Sequence, residues 1–285
     1  RRWCWSACGR CCGLASPGPT PPRKALPVTP LAERIAGIVE ASGPIGVADY
    51  MMLCLFDPAY GYYTTREPFG VAGDFTTAPE ISQMFGELVG VWVYRAWQSA
   101  GAPSPVAIAE IGPGRGTLMK DVLRALRKLD PELVRRADFA LIETSPRLAE
   151  IQKRTLGDAG ARLAWHASIE TLPSHPLILV GNELFDALPI RQYVRTRAGW
   201  RERVVGLGPD GKLAFMAGPG APDAVLLPPD AAGAPEGAIV ELAPARAALM
   251  ETVARRLADH GGAALFIDYG YTELAIGDTL QAVRR

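Results

Sequence analysis

The sequence predicts an α/β fold built on a mostly parallel sheet, and three observations carry that prediction. From Val106 onward, short apolar runs of strand length alternate with amphipathic stretches of helical period. A glycine-rich turn, "GPGRG" from Gly112 to Gly116, lies where the first of those runs gives way to a helix. The run "LILVGN" (Leu177 to Asn182) is continuously apolar almost to its end, as a strand covered on both faces must be.

Before that pattern begins, residues 1–30 stand apart. They are rich in arginine, hold no acidic residue, and are dense in proline from Pro17 to Pro30. Such a stretch fits an organelle leader or a disordered extension, and the second reading is preferred. Four of the five cysteines (Cys4, Cys8, Cys11 and Cys12) fall there without a second ligand pair nearby, so no metal site is expected. Cys54 alone in the body is no disulfide scaffold and fits a reducing compartment.

Residues 31–104 read as a helical segment with a long covering loop. Thr29-Pro30 opens a helix with Leu31, Ile35 and Ile38 on one face, and a second helix covers about Val47 to Leu55. The turn-rich "DPAYGYYTTREPFGVAGDFTTAPE" is long for a connection, and such loops are more often functional than idle. A helix from about Pro79 to Ala100 repeats Ile81, Phe85, Leu88 and Trp92 at helical steps, which predicts that its aromatics, Phe85 and Trp92, are core.

Residues 105–285 carry the alternation. The expected strands are Val106–Ile111, Phe139–Glu143, Arg162–Trp165, Leu177–Gly181 and Ala263–Asp268. The expected helices are Thr117–Leu129, with Leu118, Val122, Leu126 and Leu129 inward, then Pro146–Leu156 and Pro244–His260. An insertion at about 190–237 reads as a hairpin turning near Ala198-Gly199, a turn at Asp210-Gly211, and a loop. The last residues, "DTLQAVRR", read as the start of a further strand.

Charge excludes some classes of function. Thirty basic residues balance thirty acidic ones, so nothing biases the chain toward nucleic acid. Its basic residues near Arg124 to Arg136 read as a solvated helix face. No apolar run approaches the roughly 18 residues of a membrane span.

The glycine turn carries the chemistry. A dinucleotide site wants its third glycine five residues after the first, with pyrophosphate on the helix N-terminus. Here Gly112, Gly114 and Gly116 alternate, and Glu110 stands two residues before the first. That carboxylate would repel a pyrophosphate and suits a cation. S-adenosylmethionine (SAM) fits, with its ammonium and sulfonium groups and no phosphate; a plain strand–helix turn is the competing reading. At the end of the second strand, Glu143 can accept both hydroxyls of a ribose or cap the next helix. Trp165 at the third strand can stack on adenine or simply pack. Asn182, Glu183 and Asp186, after the fourth strand, can orient a cationic nucleophile and take its proton, or read as a helix-capping Asn and an exposed Glu. Asp74 and Glu80 are further carboxylates of the covering loop.

Four segments, "GDFTTAPEISQMFGELVG", "EIGPGRGTLMKDVLRAL", "GNELFDALPIRQ" and "FIDYG", together resemble the MidA family of class I SAM-dependent methyltransferases. That family includes a mitochondrial complex I assembly-factor arginine methyltransferase and bacterial homologues. The resemblance runs from about Leu31 to the end of the chain. It implies a Rossmann-like class I fold, SAM as cofactor, and transfer of a methyl group to a protein arginine, a complex I subunit for the mitochondrial member. By motif, Gly112, Gly114 and Gly116 line the donor, Glu143 holds its ribose, and Gly73–Ser82 folds over it with Asp74 and Thr76. Asn182, Glu183 and Asp186 then face the acceptor. The family continues past the fifth strand, so the last strand pair is expected to be missing here. The compartment implied is a bacterial cytoplasm, with the mitochondrial matrix as the alternative. A small-molecule or other side-chain acceptor, and a SAM-binding assembly factor without catalysis, remain open on the same fold.

Overall fold

A computed structural model of the chain describes residues 28–65, 77–157, 159–270 and 275–282. The expectations for the cysteine-rich extension up to residue 27, and those for Asp74 and Thr76, lie outside these residues.

The N-terminal part is helical. α1 (Pro30–Ser42) starts where the Thr29 hydroxyl accepts the Ala32 N–H, and it is followed by the two-residue strand β1 (Ile45–Gly46). Then come α2 (Val47–Phe56), the one-turn α3 (Tyr62–Thr65) and α4 (Ala78–Ile81), and the long α5 (Gln83–Ser99). The single helix expected over 79–100 is thus two. Ser82 adopts an extended backbone (φ −143°, ψ 117°) and breaks it.

The alternating part follows as β2 (Ala107–Ile111), α6 (Thr117–Leu129), α7 (Pro131–Arg136), β3 (Asp138–Ile142), α8 (Pro146–Leu156), β4 (Arg162–His166) and β5 (Leu177–Asn182). An antiparallel excursion, β6 (Arg191–Thr196), β7 (Gly199–Leu207), β8 (Leu213–Ala217) and β9 (Ile239–Leu242), precedes α9 (Pro244–His260) and β10 (Gly262–Ile267).

Five parallel strands form the main sheet in the order β10-β5-β2-β3-β4. The chain runs outward from β2 to β3 and β4, then returns to the other side of β2 for β5 and β10. Between β2 and β5 the winding reverses. Such a switch point opens a crevice at the carboxyl ends of the two strands, and ligands of open α/β sheets bind there.

Strand alternation sorts the core into two layers. Ile108, Phe139, Leu141, Ile178 and Val180 face α5, α6 and α7, whose Val89, Val93, Val122, Leu126 and Leu133 complete one buried cluster. Ala107, Ala109, Ala140, Ile142, Leu177 and Leu179 face the other way, toward Val253 of α9 with Leu249 and Leu257. Small residues on that face let the helix lie close to the sheet.

On the α4–α5 stretch the aromatics are core as expected, the aliphatic residues of the same period are not, and glycine explains the difference. Phe85 and Trp92 pack on the core, but Ile81 and Leu88 are exposed. The helix turns Gly86 and Gly90 inward instead: a Cβ on Gly86 would stand 2.4 Å from Asp121 Cβ, and one on Gly90 2.7 Å from Ala125 Cβ. Close contact with α6 therefore decides the rotation of α5, and the larger apolar residues are left outside. Leu129, expected inward on α6, is also exposed at that helix's last turn.

The inserted hairpin belongs to a second, antiparallel sheet, β1-β7-β6-β9, with β8 also paired to β7. The hairpin turns at Ala198-Gly199 as expected, whereas β8 and β9 were not foreseen. Ile45 and Gly46 pair with Val205 and Val204, so the N-terminal segment completes that sheet.

Residues 275–282 form no strand, contrary to expectation. Side chains of the antiparallel sheet hold them instead. Glu241 accepts the N–H and hydroxyl of Thr279, while buried Gln192 and Arg203 both donate to Asp278. Polar anchoring of this kind satisfies the segment without a ladder.

Candidate active site

A cavity of about 940 Å³ opens at the switch point, lined by the residues after β2, β3 and β5 and by Phe56, Pro58, Tyr63, Thr64, Thr77, Pro79 and Glu80. The strand ends place the first group; the helical N-terminal segment supplies the second as a roof.

All three glycines of the turn have positive φ: 66° at Gly112, 53° at Gly114 and 81° at Gly116. Only glycine takes that conformation without strain, so the turn needs them whatever it binds. They differ in what they face. Gly112 and Gly114 line the cavity. A Cβ on Gly112 would come within 2.8 Å of Leu184 Cδ1 from the loop after β5. Gly116 does not line it; it precedes α6 as the capping residue and packs against Gln152.

Glu110 points from β2 into the base of the cavity and is almost fully buried. The Met119 N–H, in the first turn of α6, donates to its carboxylate. Among the described residues its Oε2 has no partner. Burial pushes the carboxyl up to about 8. A buried carboxylate with one free oxygen is costly unless a donor or cation meets it. An unpartnered acceptor of this kind fits an ammonium group and does not fit a phosphate.

Glu143 lines the same cavity from the end of β3. One carboxylate oxygen accepts the Ser145 N–H at 2.7 Å, and the other accepts Gln152 Nε2 at 3.0 Å. Burial raises its carboxyl from the usual range, and these hydrogen bonds oppose the rise. Trp165 does not line the cavity. Its ring packs on the core beside β4, and its indole N–H donates to Gln152 Oε1 at 3.0 Å.

Across the crevice, Asn182 and Glu183 line the wall after β5. Glu183 has φ 48°, a strained value for a residue with a side chain, and its N–H is held by the Ile267 carbonyl at 2.8 Å. Burial raises its carboxyl, while the Ala78 N–H and the Asn182 side chain donate to it. Asp186 stands at the solvent-exposed rim and does not line the cavity. Desolvation of its inner side, with Asp268 and Glu183 nearby, pushes its carboxyl up to about 6. Tyr63 from the roof is close enough to both for their charges to add to the effect of burial, which raises its hydroxyl well above the usual tyrosine value.

Sequence reasoning missed Gln152, Tyr63, Thr117 and Asp268. Asp268 had the clearest signal: it closes β10, next to β5, at the same carboxyl edge that marked Glu143 and Asn182. Its Oδ2 accepts the Phe185 N–H at 2.6 Å, which secures the loop carrying Glu183 and Asp186. Thr117 binds Glu80 across 37 residues of sequence, a pairing no local pattern reveals.

A protein from Burkholderia thailandensis, solved with S-adenosyl-homocysteine bound, superposes with a TM-score of 0.69 at 31% identity, covering 85% of this chain and 62% of that one. Protein arginine methyltransferase NDUFAF7, mitochondrial, of Danio rerio is 36% identical over 265 residues, 85% of this chain and 62% of its own length. The Homo sapiens protein of the same name is 35% identical, over 86% of this chain and 60% of its own. The chain therefore spans about three fifths of the length of these relatives. The fold is the class I methyltransferase type that the motifs implied. The chain belongs to the family described as "Putative S-adenosyl-L-methionine-dependent methyltransferase", whose model matches residues 88–285.

Proposed function

We propose that this chain binds SAM in the crevice above β2 and β5 and serves transfer of its methyl group to an arginine of a protein. The observation that carries the reading is Glu110: a buried carboxylate with an unpartnered oxygen at the base of a 940 Å³ cavity, directly before a glycine turn. Balanced charge supports a protein acceptor over nucleic acid. The names of the relatives support protein arginine as the acceptor and the mitochondrion over a bacterial cytoplasm as the compartment. A complex I subunit is the narrower reading that resemblance to the MidA family supports.

SAM, when bound, supplies a methyl group made electrophilic by its sulfonium. In this reading, Glu110 receives the ammonium, Gly112 and Gly114 let the backbone approach the donor, and Glu143 accepts the ribose hydroxyls. Gly116 and Trp165 act from behind, the first by shaping the turn and the second through Gln152. Resemblance to the family assigns cover of the donor to Gly73–Ser82, of which Glu80 lies among the described residues. Asn182, Glu183 and Asp186 serve the acceptor. A guanidinium stays protonated at neutral pH and is a poor nucleophile until carboxylates align it and take a proton. Carboxyls raised above the usual range, as those of Glu183 and Asp186 are, make stronger bases than ordinary ones.

The test is incubation with isotopically labelled SAM and an extract of the source cell, with mass spectrometry of the labelled proteins. Label on arginine supports the reading. Label on another side chain or only on small molecules replaces the acceptor. SAM binding without any label makes the protein a binder and not an enzyme.

A further inference from the structure

Gln152 is wholly buried on α8, yet its amide is fully engaged. Nε2 donates to the Gly114 carbonyl at 2.8 Å and to Glu143 Oε2 at 3.0 Å, while Oε1 accepts the Trp165 indole N–H at 3.0 Å. The partners fix the amide's orientation. An indole N–H can only donate, so oxygen faces it; a carbonyl and an ionised carboxylate only accept, so the NH2 group faces them. No flipped amide satisfies all three.

One side chain thus ties the glycine turn after β2, the carboxylate after β3, and the tryptophan of β4. Those elements are distant in sequence; their strands pair in the sheet, and this amide joins the groups that stand at and beyond their ends. Gly116 lies against the stem of the same residue: a Cβ there would stand 3.4 Å from Gln152 Cγ. The Ser145 N–H holds the other Glu143 oxygen. Glu143 is therefore clamped from two sides, and its remaining lone pairs are aimed by its neighbours and not by rotamer choice.

We infer that Gln152 is a positioning residue for the donor site, which sets the Glu143 carboxylate and the Gly114 backbone in one rigid frame and thereby makes the site read the ribose diol of its ligand. The inference rests on the assignment of Glu143 to the ribose. It goes further in locating the selectivity for the two hydroxyls in a buried side chain that does not line the cavity. Two features of its chemistry matter. An amide N–H donor keeps Glu143 an acceptor, as recognition of hydroxyls requires. A buried donor whose three partners are all in place also leaves little slack, and partners that orient a binding group typically shift affinity ten- to a hundredfold when lost.

The test is calorimetric titration with S-adenosyl-homocysteine and with its 2′,3′-dideoxy analogue. Wild-type protein is expected to prefer the diol by about a hundredfold or more, because the analogue leaves a site built for hydroxyls unpaired. Gln152→Met, which keeps the volume and removes the amide, is expected to weaken S-adenosyl-homocysteine binding about ten- to a hundredfold. Its affinity for the dideoxy analogue should fall several-fold less, since that ligand never used the carboxylate and loses only the hold on the Gly114 backbone. Damage to the fold alone would weaken both ligands equally, and that result overturns the inference, as does undiminished discrimination in the variant. If Gln152→Met does not fold, Gln152→Asn, whose amide falls one methylene short of its partners, is held to the same two criteria. Failure of the wild type to bind S-adenosyl-homocysteine would instead overturn the donor-site reading itself, and equal wild-type affinity for the two ligands would overturn the role of Glu143.

Discussion

The Thr117 hydroxyl donates a 2.6 Å hydrogen bond to the Glu80 carboxylate and so fastens the roof of the crevice to the first turn of α6. A second fastening lies opposite, where the Ala78 N–H donates to Glu183. The roof is thus held by the two loops that it covers. Replacing Thr117 with valine keeps the shape and removes one tie. We expect SAM affinity to fall about tenfold, near the 1.5 kcal/mol of a hydrogen bond to a charged group. Thermal stability should change by a few degrees at most. Unaltered affinity in calorimetry would show that the roof closes without this contact.

Gly114 sits at φ 53° with its carbonyl bound by Gln152. Gly114→Val places a β-branched side chain in the left-handed region, at a cost of roughly 1–3 kcal/mol. We expect a folded but less stable protein that no longer binds SAM, seen as a lowered melting temperature and a flat titration. Binding at wild-type affinity would remove this turn from the donor site.

Glu183 and Asp186 divide by position. Glu183 lines the cavity and Asp186 stands at its rim. Glu183→Gln should slow methyl transfer by about a hundredfold or more while SAM still binds, as for loss of a general base. Asp186→Asn should cost less. Burial, with Asp268 and Glu183 nearby, pushes the Asp186 carboxyl up to about 6, and its protonated form can neither take a further proton nor hold a guanidinium by charge. The rate in wild type should therefore fall as pH drops through 6, and Asp186→Asn should flatten that limb. A pH–rate profile with the same acid limb in both proteins would discount Asp186.

Glu110 also links stability to pH. Its folded carboxyl titrates at about 8, above its unfolded value near 4.5. Between those limits the folded state holds a proton that the unfolded chain has released. Raising the pH from about 5 to 8 therefore favours unfolding through this group. Glu110→Gln lacks the effect. We expect its melting temperature to exceed wild type by a margin that widens from pH 5 to pH 8, reaching about 5 °C or more. A constant margin across that range would mean that Glu110 is ionised in the free protein.

Much of this was legible in the sequence because strands, helices and turns are local. β2, β3, β4, β5 and β10 each fall within a residue or two of their expected bounds, and the alternation fixed their order along the chain. The motif glycines were legible because their φ values demand them. Packing between distant elements was not. Ile81 and Leu88 carry a core-like period, but glycines at 86 and 90 turn the helix the other way. Gln152 looks like an ordinary helix-surface residue in "IQK", and only the arrival of Trp165 and Gly114 gives it work. β8 and β9 lie in a stretch rich in proline, glycine and alanine, where neither alternation nor length marks a strand.

The central claim is that the crevice above β2 and β5 takes SAM through Glu110. It is tested most directly by titrating SAM into the protein at pH 7 by calorimetry in two buffers of different ionisation enthalpy. Free Glu110 is largely protonated at that pH, and pairing with the ligand's ammonium requires the carboxylate. The account predicts saturable binding with release of up to one proton per SAM, and in Glu110→Gln at least about tenfold weaker binding with no proton release. Equal affinity and equal proton release in the two proteins would contradict it.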